Sequence, residues 1–209
     1  MLRGLAVLAG VWVFATPPSP TEACIRGMDD AYYEESQDIS RARRLFSEGH
    51  LRRSFRVAGL AWSRVHRRRD EDPARHQRLQ RRAMIVLASV AVRLDGNVDR
   101  RRWRARDADK AERTDNLLWA IEQLQAVADE DDPEIAARIG EAYQHLANRQ
   151  QDAIRILEPL AQADLMPDVY GYAALARSYE AVGNDDGHDL AVSVCRRRAS
   201  RVQQGICPA

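Results

Sequence analysis

From residue 29 onward, apolar side chains return every three or four positions, and no stretch alternates apolar with polar for the length of a strand. The pattern predicts helices over 29–48, 51–67, 73–94, 115–129, 133–147, 150–163, 168–182 and 187–200. Turn chemistry sits between them. Gly49 ends the first segment. Asp72-Pro73 opens the third, and Asp132-Pro133 gives an N-cap followed by Pro at the first helical position of the fifth. Asp95-Gly96 closes the third helix, while Pro167-Asp168 and Gly183-Asn184 bracket the seventh. Eight helices joined mostly by short breaks imply an all-α fold built from antiparallel helix pairs.

The first 23 residues follow another rule. Arg3 precedes an eleven-residue apolar run, Leu5 to Ala15, and Pro17, Pro18 and Pro20 lead to Thr21-Glu22-Ala23. A basic start, a short apolar core and a small-residue end describe a signal peptide, here residues 1–23. The run is well short of the roughly 20 residues that span a bilayer. Cleavage after Ala23 leaves a mature chain starting at Cys24, expected to be exported to the periplasm or beyond the cell. A bacterial lipoprotein signal carries a bulky apolar residue shortly before its cysteine. The Thr21-Glu22-Ala23 sequence lacks it, so lipid anchoring at Cys24 is not expected.

Three cysteines, Cys24, Cys195 and Cys207, are an odd number for an oxidising compartment. Cys195 and Cys207 lie twelve residues apart with Gly205-Ile206 between them, and their pairing would pin the tail, 201–209, onto the last helix. Closing such a loop contributes about 3 kcal/mol in the chain-entropy account. Cys24 is then free, lipidated or paired with another molecule.

Two helix pairs read as copies of one unit. Ile139-Gly140-Glu141-Ala142-Tyr143, followed by Ala153, Leu157 and Leu160, is matched 36 residues on by Leu175-Ala176-Arg177-Ser178-Tyr179, followed by Gly183 and Ala191. Earlier stretches match more loosely: Leu45 to Leu51 with Ser54 and Ala58, and Leu87-Ala88-Ser89-Val90-Ala91. This resembles the tetratricopeptide repeat, a helix-turn-helix of about 34 residues with a Leu-Gly-x-x-Tyr core. The resemblance covers about residues 40–200 as four units within a repeat domain, 24–200, interrupted by a charged insert, 97–114; an irregular helical bundle would use the same packing rules. Small residues at 140 and 176 would let the first helix of a unit approach its partner, with Tyr143 and Tyr179 filling the groove beside them. The resemblance also implies a stacked α-solenoid whose groove, lined by the first helix of each unit, binds a protein or peptide segment. Its groove positions fall on Arg93, Glu141, Gln144, His145, Arg177 and Glu180.

Catalytic and metal motifs are not found in the sequence. His50, His66, His76, His145 and His188 form no helix-borne zinc pair, and there is no Gly-x-Ser-x-Gly elbow or phosphate-binding loop. The acidic run Asp129 to Asp132 lacks the spacing of a calcium loop. Neither an enzyme nor a cofactor is expected.

Charge adds the last layer. The 209 residues sum to +1, yet residues 41–106 hold 20 Arg against six acids, a net of +14, and residues 107–190 hold six basic against 19 acidic residues, a net of −13. Of the 32 basic residues only Lys110 is not Arg, a ratio that biased codon usage would also produce. The dense clusters are Arg67, Arg68 and Arg69, and Arg100, Arg101, Arg102, Arg104 and Arg106 around Trp103. Guanidinium forks pair with phosphate and carboxylate, so these residues are candidates for an anionic envelope polymer or lipid head groups. Head-to-tail self-association of basic and acidic halves is a further option. Trp103 could stack on a base, but an exported chain seldom meets nucleic acid, which ranks last.

Overall fold

The computed structural model describes residues 20–68, 72–128, 132–201 and 203–208, with side chains from residue 33 onward. The expected leader up to residue 19, the side chain of Cys24, Arg69 and the acidic residues 129–131 lie outside that description. The chain divides into two units, Met1–Glu34 and Glu35–Ala209. Of the first, the described part is helical backbone from Pro20.

The described residues form eight α-helices: α1 Pro20–Ser47, α2 Leu51–Arg67, α3 Pro73–Arg93, α4 Lys110–Val127, α5 Pro133–His145, α6 Gln150–Gln162, α7 Val169–Ala181 and α8 Asp185–Arg198. A two-stranded hairpin, β1 Val98–Asp99 with β2 Arg104–Ala105, lies between α3 and α4, and a short 3₁₀ turn covers Gln204–Ile206. The fold is all-α. Three starts are earlier than the apolar pattern predicts, that of α8 by only two residues, at Asp185 rather than 187. Helix α1 begins at Pro20 rather than 29, and α4 begins at Lys110 rather than 115 because Asp109 caps it by accepting from the Glu112 N–H. The charged insert contains the hairpin, which a strand-length alternation cannot reveal when each strand has only two residues.

Local chemistry sets the other boundaries. Asp72, Asp132, Asp168 and Asn184 each accept a backbone N–H from the first turn of the following helix, with Pro73 and Pro133 just inside. Gly49, Gly96 and Gly183 adopt φ of 80°, 70° and 74°, the left-handed conformation that ends a helix without a Cβ penalty.

Within residues 35–209, each helix from α2 to α7 packs on its successor, and α5 also touches α3 and α7. Connections of a few residues force successive helices to run back along one another. Two apolar clusters result. One joins α1 to α5 through Phe46, Phe55, Leu87, Leu117, Leu124 and Ile135; the other joins α5 to α8 through Leu157, Tyr172, Leu175, Tyr179 and Cys195, and Tyr143 packs against both. A Cβ on Gly140 would lie 2.5 Å from Cγ of the fully buried Leu157, so α5 and α6 approach as closely as they do only because position 140 carries no side chain. Cys195 and Cys207 are joined by a disulfide, Cα atoms 5.8 Å apart, which holds the segment after α8 onto that helix.

Candidate functional site

The residues expected in the groove come from three helices, and the first link among them is a buried ion network. Arg93, at the end of α3, reaches Glu141 on α5 at 3.5 Å and also pairs with Asp168, the N-cap of α7. Arg138, one turn before Glu141, pairs with it and with Asp168 at 2.6 Å. The side chains of Arg93, Arg138 and Glu141 are only 4%, 3% and 4% exposed, so two cations and two anions compensate each other where water does not. Aromatic faces complete the shell: the Arg93 guanidinium lies 3.7 Å from the Tyr170 ring centre and 4.2 Å from that of Phe46. Burial alone would raise the Asp168 carboxyl, but Arg138 and Arg93 outweigh it and bring the pKa down to about 2. Burial opposes the charge of Arg138 too, and Glu141 and Asp168 more than restore it.

Above this network lies a cavity of about 220 Å³ lined by Arg93, Glu141, Gln144, His145 and Arg177, with Tyr170, Ala174 and Ile206 completing the wall. Five of the six expected groove residues therefore meet around one recess, and Glu180 does not line it. Their states differ. Arg93 and Glu141 are buried and neutralise each other, because helices α3, α5 and α7 converge on them. His145 and Arg177 form the accessible part, with Gln144 half-buried beside them. His145 Nδ1 lies 3.2 Å from Asp95, which also accepts from Arg113 at 2.7 Å. Burial would raise the Asp95 carboxyl, yet His145 and Arg113 hold it below the ordinary carboxylate range. Gln144 Oε1 is buried with no hydrogen-bond partner, an acceptor turned away from water.

A second recess, about 550 Å³, lies among α1, α3 and the start of α5. Its floor is Ile39, Ile85 and Val86, and Arg43, Arg44 and Arg82 stand at its rim, Arg43 donating to Glu134 at 2.8 Å. None of these arginines stood out from the sequence, because they are separated along the chain and only the packing of α1 on α3 collects them.

The Arg clusters are partly committed to neighbours. Arg100 pairs with Asp115, Arg104 with Asp99 and Arg106 with Glu112, while Arg101 and Arg102 are exposed at the hairpin turn. Arg68 reaches the buried Glu35 at 3.4 Å, and Arg67 is exposed. Trp103 is not presented for stacking on a base. Its indole N–H donates to Ser63 at 2.9 Å, its ring meets Trp62 and Phe55 edge to face, and it lies directly over Gly59, where any side chain would collide with it.

Sequence reasoning missed Arg138, Asp168, Tyr170 and Ile206. Asp168 was visible only as part of the break before the seventh helix; its place in the network needed the arrival of two arginines from other helices. No protein-family profile, curated protein or solved structure matches this chain. The site rests on its own geometry.

Proposed function

We propose that this chain is an exported, non-catalytic scaffold that holds another polypeptide in a tetratricopeptide-like groove formed by α1, α3, α5 and α7. The observation that carries the reading is the recess at Gln144, His145 and Arg177, assembled from three successive odd-numbered helices over a rigid, charge-compensated floor. Contacts of α5 with both α3 and α7 are what a stack of helix pairs requires. The ionisable groups at the centre are locked in mutual pairs, which favours a fixed binding surface over proton transfer. Export is supported by the disulfide, which persists in oxidising compartments, and by the signal-peptide pattern of residues 1–23.

The test is capture of partners from an envelope extract by the wild type and by Arg177→Glu combined with His145→Glu, at low salt and at about 0.5 M salt, where charge screening acts within a few ångströms. A groove partner is retained in salt and lost by the double variant. A partner indifferent to both substitutions removes the groove from consideration.

A second reading, attachment to an anionic envelope polymer or lipid surface, draws on Arg44 and Arg82 at the larger recess and on Arg101 and Arg102 at the hairpin turn. Binding that salt abolishes and that Arg101→Ser with Arg102→Ser weakens would favour it over the groove.

A further inference from the structure

The segment 203–208 is not a loose end. Its single large apolar side chain, Ile206, packs against the α5–α8 cluster and forms one wall of the Gln144–His145–Arg177 recess. Two guanidiniums from successive helices address its backbone rather than its side chains: Arg177 on α7 donates to the Ile206 carbonyl at 3.0 Å, and Arg196 on α8 donates to the Pro208 carbonyl at 2.9 Å. Between these two carbonyls lies Cys207, tied to Cys195. A three-residue turn has too few bonds of its own to hold this position, so the tether and the two arginines must do it. Aliphatic side chain, arginine-bound carbonyls and an exposed backbone are the features by which a groove receives a short peptide.

We propose that residues 203–208 are an internal ligand of the α5–α7 face, held there by the Cys195–Cys207 disulfide, and that the external partner is a short segment of the same chemistry. Such a segment presents one aliphatic side chain where Ile206 sits, a backbone carbonyl to Arg177, and a peptide N–H to the buried, unpartnered Gln144 Oε1. The inference rests on the groove reading above and specifies what that groove accepts. A tethered segment competes at an effective concentration on the order of millimolar, so the intact disulfide keeps outside peptides weakly bound.

The experiment uses the full chain and a labelled heptapeptide, Gln-Gln-Gly-Ile-Ser-Pro-Ala, which copies residues 203–209 with Ser in place of Cys207. The variant Ile206→Ala with Cys207→Ser removes the aliphatic side chain and the tether that hold the segment on this face, and circular dichroism checks that it stays helical. Fluorescence anisotropy should show the peptide binding this variant at least about tenfold more tightly than the oxidised wild type. Adding Arg177→Ala should weaken that binding, as should Ala in place of Ile in the peptide. Should the double variant unfold, Cys207→Ser alone gives the second measure: amide exchange at 203–208 should accelerate while α8 stays protected. Equal binding to wild type and double variant, or none to a folded double variant, overturns the inference. If the peptide fails while partner capture still depends on Arg177, only the internal-ligand inference falls; if the peptide binds while captured partners ignore Arg177, the groove reading falls instead.

Discussion

Asp168 shows how much one side chain can hold. It caps α7 through the Tyr170 N–H and accepts from Arg138, while pairing with Arg93. Its folded pKa of about 2 lies below the ordinary value of 3.8, so its contribution is complete above that ordinary value and is lost as pH falls from about 4 to 2. The difference corresponds to about 2 kcal/mol. Acid titration of stability should therefore show a decline in that window, and Asp168→Asn should flatten it. The same substitution should destabilise the protein at neutral pH by about 3 kcal/mol, because Arg93 and Arg138 would stay buried with one carboxylate fewer. Denaturant unfolding at pH 7 and pH 3 measures both effects. Gly140 makes the opposite point, since what matters is the missing atom. A methyl there meets Leu157 at 2.5 Å, and overpacking of about 1–3 kcal/mol exceeds the roughly 1 kcal/mol that Ala gains over Gly in helix propensity. Gly140→Ala should lower the melting temperature, and Leu157→Ala in that background should restore less than it costs alone.

At the scale of elements, the hairpin between α3 and α4 is held by side chains that reach it from outside its own strands. Strands of two residues each have no independent stability. Trp103 fastens them to α2 by its bond to Ser63 and its contacts with Phe55 and Trp62, in a left-handed backbone conformation at φ 49°. Asn116 adds two bonds from α4 to the carbonyls of Gly96 and Val98. Trp103→Ala should cost about 2 kcal/mol, less than full burial of Trp implies because the residue is only partly covered. Hydrogen exchange should locate the loosening in 97–106 and at the facing turn of α2, leaving α5 to α8 protected.

Across the whole molecule, part of the separation of charge along the chain is compensated internally. Arg43 meets Glu134, Arg93 meets Glu141 and Asp168, Arg100 meets Asp115, and Arg106 meets Glu112. The basic stretch thus packs beside the acidic one, and exposed pairs of this kind contribute little each. The measurable consequence is modest salt sensitivity: raising salt to about 0.5 M should shift the melting temperature by only a few degrees, the buried Arg93–Arg138 network being shielded from ions. Reducing the Cys195–Cys207 bond should cost up to about 3 kcal/mol from the freed loop. Calorimetry with and without reductant measures it.

Helix positions, the breaks between them and the Cys195–Cys207 pairing were legible in the sequence because each depends on neighbours within about a dozen residues. Asp72, Asp132 and Asp168 act on the next turn, Gly49 and Gly183 on the preceding one, and a disulfide between nearby cysteines needs only a short loop. The resemblance to the tetratricopeptide repeat brought Gln144, His145 and Arg177 to notice as expected groove positions, and all three line one recess. What the tertiary structure decided is which charges are available. Arg93 and Glu141 look like exposed polar positions until α7 delivers Asp168 and α5 delivers Arg138; Trp103 looks like a free aromatic until Gly59 admits it; and Arg43, Arg44 and Arg82 form no pattern until α1 lies on α3. Periodicity tells which side of a helix turns inward. Pairing of charges depends on distances between helices that the local sequence does not contain.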